Sequence, residues 1–526
     1  MESKMKKFII KLLFSPRQRS SELGSALGLT KRSNIVRPFP TAAQPAQARR
    51  RPVGLAKTWI YAASFAAGML LAGCDTDDEY RAAEPELYLT ASTRIFALSA
   101  DGGQRTVVID TNCGEWKVTT DAAGWLSNRK EGNLLTITAG ESLSTKAQTA
   151  VVTVSSIDDP SLTCEIRVMQ YGTGATNLSA LGTANCYMAS TGASYVFDAS
   201  IKGNGLGDGN SEYIDKHGLL LDEGVAAELL WEAVFDADKT RSRDVIDGEP
   251  VYRNGRIWFT TGREQGNAVI ALRDFSGEIV WSWHIWVTDR EVTLTAANGY
   301  EWMDRNLGAL NNTPGDVANR GLFYQWGRKD PFTAATAFAP ENPSETIRWN
   351  MLNNPLPAMA SDADSMGTVQ LSIEHPTSFY VTRYAHGDWN GQPDPNLWGA
   401  VSGQKTVYDP CPAGWRVPAY DAQGDSPYAF VTRQTTTGTD NIGRIYTDGN
   451  GNDFLFPVAG SRVNGTGTLD CPGNYGSLWT ATGKTTSNED GTIEYGCLLF
   501  FTTGRLVSAT YYDTRSQGVS VRCVKE

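Results

Sequence analysis

The chain has 526 residues with a formal net charge of −11, and it is rich in Trp (15), Tyr (20) and Gly (52). Of its 47 basic and 58 acidic residues, 13 and 2 precede Cys74, so the remainder carries a net −22. Such a surface repels phosphate and excludes nucleic acid as a partner, and turn-rich composition without sustained helical periodicity excludes a helical bundle; the length sets about three to four domains, mainly β.

Arg49-Arg50-Arg51 and Lys57 precede an apolar run over residues 59–70, followed by Leu71-Ala72-Gly73-Cys74. A basic stretch, a short apolar core and small residues before a cysteine describe an export signal, and the run is short for a membrane-spanning helix. Leu-Ala-Gly-Cys resembles the bacterial lipobox, which implies that Cys74 is the lipid anchor. Residues 1–73 are then an N-terminal extension and lipoprotein signal peptide. The cluster Asp75-Thr76-Asp77-Asp78-Glu79 resembles the surface-export signal of Bacteroidetes lipoproteins, and residues 74–85 read as an acidic tether. Together these features imply a lipid-anchored protein of the outer membrane, facing the cell exterior.

Residues 86–172 show strand-like runs at 87–90, 105–110, 115–119, 134–139, 150–155 and 164–170, with turns at Asp101-Gly102-Gly103, Glu131-Gly132-Asn133 and Asp158-Asp159-Pro160. This spacing predicts an immunoglobulin-like β-sandwich with Trp116 and Trp125 in its core. Asn112-Cys113-Gly114-Glu115-Trp116, Gly124-Trp125-Leu126 and Val168-Met169-Gln170-Tyr171 resemble the BACON domain of Bacteroidetes, whose name implies carbohydrate binding and whose copies also act as spacers. Cys113 and Cys164 are expected to form a disulfide within it. Residues 175–290 predict a second β-rich, sandwich-like domain, with strands at 194–199, 228–235, 251–261, 268–273 and 278–287 and a hairpin turn at Asp274-Phe275-Ser276-Gly277. Alternation puts Trp281 and Trp283 on one face of its last strand and His284 and Trp286 on the other. A Trp pair of this kind is more often a sheet core than a sugar platform, His284 reads as structural, and Cys186 is left without a partner.

Residues 291–526 open with strands at 292–296 and 301–306 and a short helix over 320–327 that ends at Asp330-Pro331. Residues 333–405 lack periodicity, and a stretch this long inside a domain is functional or disordered. It interleaves Trp389 and Trp398 with Asn390 and Asp394. These four, with Tyr475 and Trp479, are the ligand-binding candidates; equally, the aromatics could anchor the loop onto its own domain. Four cysteines in an exported chain read as two disulfides, Cys411–Cys523 outside and Cys471–Cys497 inside. Trp302-Met303-Asp304-Arg305-Asn306-Leu307-Gly308-Ala309, Tyr324-Gln325-Trp326-Gly327-Arg328-Lys329-Asp330-Pro331-Phe332, Asp409-Pro410-Cys411-Pro412-Ala413-Gly414-Trp415-Arg416-Val417-Pro418, Phe456-Pro457-Val458-Ala459-Gly460-Ser461-Arg462, Ser477-Leu478-Trp479-Thr480 and Arg522-Cys523 follow in order. The series resembles the Fibrobacter succinogenes major paralogous domain of the C-type-lectin-like superfamily. That resemblance implies an α+β C-type-lectin-like domain whose long loops form a ligand surface.

No His-Glu-x-x-His, phosphate-cradling Gly-Lys loop, Cys-x-x-Cys or Gly-x-Ser-x-Gly occurs, and His217, His284, His375 and His386 lie far apart, so no catalytic residue, metal ligand or cofactor is expected. Residues 448–453 fit a hairpin turn better than a calcium loop, because Asp453 stands where such a loop needs glycine. The expectation is a non-catalytic cell-surface lipoprotein whose C-terminal head binds glycan or a cell-surface protein. The alternatives are an accessory or tip subunit of a fimbria-like assembly, joined to other subunits by strand addition, and a polysaccharide-processing enzyme.

Overall fold

Strands Gly103–Thr111 and Gln148–Ser156 alternate buried and exposed side chains, the pattern of a sheet with one wet face. Each lies inside a four-stranded sheet. One runs Leu89–Ala91, Gly103–Thr111, Leu134–Ala139, Leu126–Glu131; the other runs Ile95–Leu98, Thr163–Gln170, Gln148–Ser156, Trp116–Thr120. Val107, Ile109, Leu135 and Ile137 of the first meet Val152, Val154, Ile166 and Val168 of the second in one core, with Trp116 buried and Trp125 packed against it. The expected sandwich is therefore present. Cys113 and Cys164 lie in this core as free thiols, not as the expected disulfide. The Cys113 thiol instead donates to the Tyr88 carbonyl (3.2 Å) and contacts Thr111 Oγ1 (2.8 Å).

The structure is a computed structural model that describes residues 86–526 except 123, 207–211, 235–244, 290–291, 293, 298, 334–346, 351–366, 382–386, 433–442, 448–452, 489–490 and 504–506. Cys74, the export signal, the acidic tether, His386 and residues 448–452 of the expected hairpin turn lie outside the described residues. The described chain is nearly all strand and loop, and its α-helices are Glu212–His217 and Val369–Glu374.

The second pair of sheets consists of Cys186–Ala189, Ile279–Val287, Gly266–Arg273, Ala226–Val234 and Ile347–Asn350 on one side, and Val251–Arg253, Arg256–Thr260, Ser194–Asp198 and Thr176–Asn177 on the other. All nine residues of Ile279–Val287 are buried, because both faces of this strand are covered. Trp283 packs on Phe197 of the facing sheet, with ring centroids 5.1 Å apart. Toward the C-terminal part, Ser282 Oγ donates to Asp330 (2.6 Å) and Trp286 Nε1 donates to the Ala309 carbonyl (3.1 Å), while within the sheet His284 Nε2 meets Asn267 Oδ1 (2.8 Å). Burial pushes the His284 pKa down to about 3, so it stays a neutral structural imidazole. Ile347–Asn350 also crosses the expected boundary at 290 to pair in parallel with Ala226–Val234. Residues 83–526 accordingly form one compact unit.

In the C-terminal part, Leu294–Ala297, Tyr300–Met303, Val524–Lys525 and Trp415–Arg416 form one sheet. A second runs Leu469–Asp470, Ser461–Arg462, Gly518–Ser520, Tyr475–Asn488, Gly491–Thr502, Val507–Thr514, with Phe323–Gln325 paired to Gly518–Ser520. In place of the helix expected over 320–327 stands the short strand Phe323–Gln325. Gly321 (φ 73°) and Gly327 (φ 87°) bracket a wholly buried run that finds its backbone partners in Gly518–Ser520. Cys411 and Cys523 are bonded across 112 residues, as expected. Cys471 and Cys497 are both free. Cys471 follows Leu469–Asp470 at one edge of the sheet, and Cys497 lies in Gly491–Thr502, with three strands between them. At about 4.8 Å per strand they are roughly 19 Å apart, beyond the ~7 Å reach of a disulfide.

The motif residues are the frame of this part. Asp409 accepts from the backbone N–H of Cys411 (2.8 Å) and of Val417 (2.9 Å), which fixes the turn that presents Cys411 to Cys523. Lys405 Nζ donates to the carbonyls of Cys411, Pro412 and Trp415 at 3.0, 2.7 and 2.6 Å. On the chain-entropy account, removing the bridge by Cys411→Ala with Cys523→Ala lowers the unfolding free energy by about 4–5 kcal/mol. Denaturant unfolding of the oxidised protein and the double variant checks this; an unchanged midpoint would show that the last strand is held without it.

Candidate functional site

Five of the six expected ligand contacts are buried. Trp389, Trp398 and Trp479 are 1 %, 2 % and 0 % exposed, and Asn390 and Tyr475 are likewise buried. Trp389 Nε1 donates to the Trp326 carbonyl (2.7 Å) and its ring stacks on Tyr380 at 6.2 Å. Trp398 packs 5.7 Å from Trp326, and Trp479 Nε1 donates to the Tyr324 carbonyl (2.8 Å). The Tyr475 hydroxyl is shared with Ser461 (2.7 Å) and Asp470 (3.2 Å). These aromatics anchor long loops to the domain, and none offers an open ring face. Of the alternatives left by the sequence, anchoring is the one observed.

What the loop does present is a cleft of about 480 Å³, lined by Tyr213, Lys216, Thr368, Val369, Gln370, Asn390, Gln392, Pro393, Asp394 and Pro395. Two of the expected residues, Asn390 and Asp394, are in it. The other walls come from Glu212–His217 in the middle part and from the start of Val369–Glu374. Thr368 caps the latter helix, its Oγ1 accepting from Leu371 N–H (3.0 Å). Gly391 N–H donates to the Gly367 carbonyl (2.8 Å) and ties the two lining segments together.

The floor of the loop is a buried ion cluster. Arg515 lies 4.3 Å above the Trp326 ring and bridges Asp388 (2.9 Å) and Glu494 (3.0 Å). Asp388 in turn accepts from Asn390 N–H (3.0 Å). Asn390 closes the next turn, with its amide donating to the Gln392 carbonyl (2.5 Å) and accepting from Gln392 N–H (3.2 Å). Burial pushes the Asp388 carboxyl up to about 6 against the pull of Arg515. Asp394 is half-buried, accepts from Asn396 N–H (2.7 Å), and is also raised by burial.

Across the cleft, Tyr213 stacks on His217 at 4.7 Å and lies 5.4 Å from the buried Lys202 ammonium. Lys202 donates to the carbonyls of His217, Gly218 and Leu220, which closes the helix end. Sequence reading missed Tyr213, Lys216, Thr368, Val369 and Gln370 because they join Asp394 only through tertiary packing, and it passed over Gln392 in the same loop. The available signal was Pro393-Asp394-Pro395, a rigid polar turn beside residues already singled out.

No family model matches the chain, and no curated protein matches it. Among solved structures, it is similar to a Bacteroides ovatus GH5 xyloglucanase in complex with a XXXG heptasaccharide, at 25 % identity over 20 % of this chain and 27 % of that one, with a TM-score of 0.15. It is also similar to a protein from Bacteroides thetaiotaomicron (15 % identity, 19 % of this chain, 98 % of that one, TM-score 0.14) and to SporoSAG from Toxoplasma gondii (11 %, 38 %, 98 %, TM-score 0.15). The chain thus spans about a quarter of the xyloglucanase. Likenesses at these TM-scores carry nothing about function.

Two buried groups oppose each other in acid. Folded Asp388 holds its proton more tightly than an unfolded Asp, so its contribution to stability grows as pH falls through about 6. Folded His284 resists its proton, so its contribution is lost as pH falls below the ordinary histidine range. Asp388→Asn removes only the first effect. The variant should therefore lose roughly 1 kcal/mol more than the parent protein between pH 7.5 and pH 5. Chemical denaturation at both pH values reads this out, and an identical or smaller loss would show that Arg515 outweighs the burial of Asp388.

Proposed function

We propose that this is a non-catalytic cell-surface protein that recognises a saccharide or similarly polar surface ligand in the cleft beside Asp394. One observation carries the reading. The cleft is lined by residues carrying side-chain amides, two hydroxyls, an ammonium, a carboxylate and two pyrrolidine rings, and its loops are fixed by bonds within the protein before any ligand arrives. Saccharides present hydroxyls that need both donors and acceptors, together with C–H faces that pack on apolar surface. A loop already held in place spends little conformational entropy on binding.

The sequence resemblances support the same reading. A lipobox at Cys74 suits a chain held at the outer membrane, and a multiply acylated cysteine is sufficient for stable anchoring. The resemblance of residues 86–172 to a BACON domain and of 291–526 to a C-type-lectin-like domain suits a sandwich that raises a recognition head.

A glycan-array screen of the full chain, followed by calorimetry on each hit, tests the proposal. Gln392→Ala with Asp394→Ala should weaken binding about tenfold or more, because both lose polar contacts inside the cleft. Trp389→Ala should mainly unfold the domain, costing about 3–5 kcal/mol of stability as a buried aromatic is lost. Saturable binding untouched by the Gln392/Asp394 pair would place the site elsewhere, and a folded chain that binds no glycan would overturn the saccharide reading.

A further inference from the structure

The polar groups of the cleft differ in how much of their bonding capacity the protein already uses. Asp394 Oδ1 accepts from Asn396 N–H (2.7 Å). The neighbouring Glu374 carboxylate accepts from Gln370 Nε2 (2.7 Å), and the Asn390 side chain is spent on the Gln392 backbone. Lys216 is different: its side chain is exposed, and no hydrogen bond or ion pair engages its ammonium among the described residues. Lysine has three N–H donors and no acceptor. The unspent capacity of the cleft thus includes a cationic donor, Lys216, beside the exposed Gln392 amide.

The surroundings add to this. Lys202 brings a second positive charge beneath Tyr213, and its ammonium bonds backbone carbonyls only. Glu223 and Glu374 lie within electrostatic range of Tyr213, but neither bonds Lys216. The chain as a whole is acidic, so an anionic polymer is repelled everywhere except where its charge meets a cation. That makes one free ammonium at the cleft a source of selectivity as well as attraction.

We infer that the preferred occupant is an acidic saccharide, whose carboxylate or sulfate takes the Lys216 ammonium while its hydroxyls bond Gln392, Gln370 and Asp394. This rests on the cleft being a saccharide site. A charge-assisted hydrogen bond is about twice as strong as a neutral one, so the acidic group decides which sugars are retained.

The test uses the full chain and three probe sets: uronate-containing oligosaccharides, the same oligosaccharides after carboxyl reduction, and sulfated oligosaccharides. Affinities are measured at low and high NaCl for the parent protein, Lys216→Ala and Lys216→Arg. The expected result is about tenfold tighter binding of acidic over carboxyl-reduced probes. Lys216→Ala should abolish that preference, Lys216→Arg should retain it, and salt should weaken it. Comparison of the uronate and sulfate sets identifies which anion is read. Equal binding of neutral and acidic probes, or undiminished preference in Lys216→Ala, overturns the inference and leaves the saccharide reading standing. A folded chain that binds none of the three sets overturns both.

Discussion

Arg522 is buried with Nε and Nη2 on Asn306 Oδ1 (3.1 and 2.9 Å), Nη2 also on the Leu455 carbonyl (2.7 Å), and its guanidinium 4.5 Å above the Phe456 ring. The contact joins positions 216 residues apart. Beside it, Cys523 is bonded to Cys411, and Val524 pairs with both Trp302 and Arg416. The first and last strands of the C-terminal part are thus held in one place. Burial lowers the Arg522 pKa to about 10, still high enough to keep the guanidinium charged at neutral pH.

Long loops have a bonding problem: their carbonyls have no ladder to join, and a buried carbonyl without a donor is costly. Here buried cations solve it. Lys405 serves three carbonyls, Lys202 serves three, Arg328 serves those of Ser378, Pro376 and Ser372, and Arg462 serves those of Thr333 and Gly467. Arg328 also lies 5.0–5.5 Å from the rings of Phe332, Tyr380 and Trp389, which are themselves loop residues. Of these cations, Arg328 rests on aromatics of the 333–405 stretch, Tyr380 and Trp389. The cleft inherits its rigidity from this arrangement, and it needs the middle part as well, because Tyr213 and Lys216 supply one of its walls.

The β-class and the first sandwich were legible because alternation along strands such as Gly103–Thr111 reports burial directly. The Cys411–Cys523 bridge was legible because the paired cysteines open and close the last quarter of the chain. Cys471 and Cys497 were not separable by spacing, since only the order of strands in the sheet puts three others between them. Trp389, Trp398 and Trp479 were marked as ligand-binding candidates, with anchoring of the loops as the equal alternative, and they are buried. Composition could not say whether their rings faced inward, and the inward choice is made by carbonyls and cations distant in sequence. Asn390 and Asp394 were found, but the opposite wall was not, because a six-residue helix at 212–217 has no local feature that points to residue 394.

The most direct measurement is hydrogen–deuterium exchange of the full chain with and without a bound saccharide. Slowed exchange confined to residues 212–217, 367–370 and 390–395 would agree with recognition in a cleft built on a rigid frame. Protection centred instead on the long strands Tyr475–Asn488 and Gly491–Thr502, with the cleft segments unchanged, would contradict it.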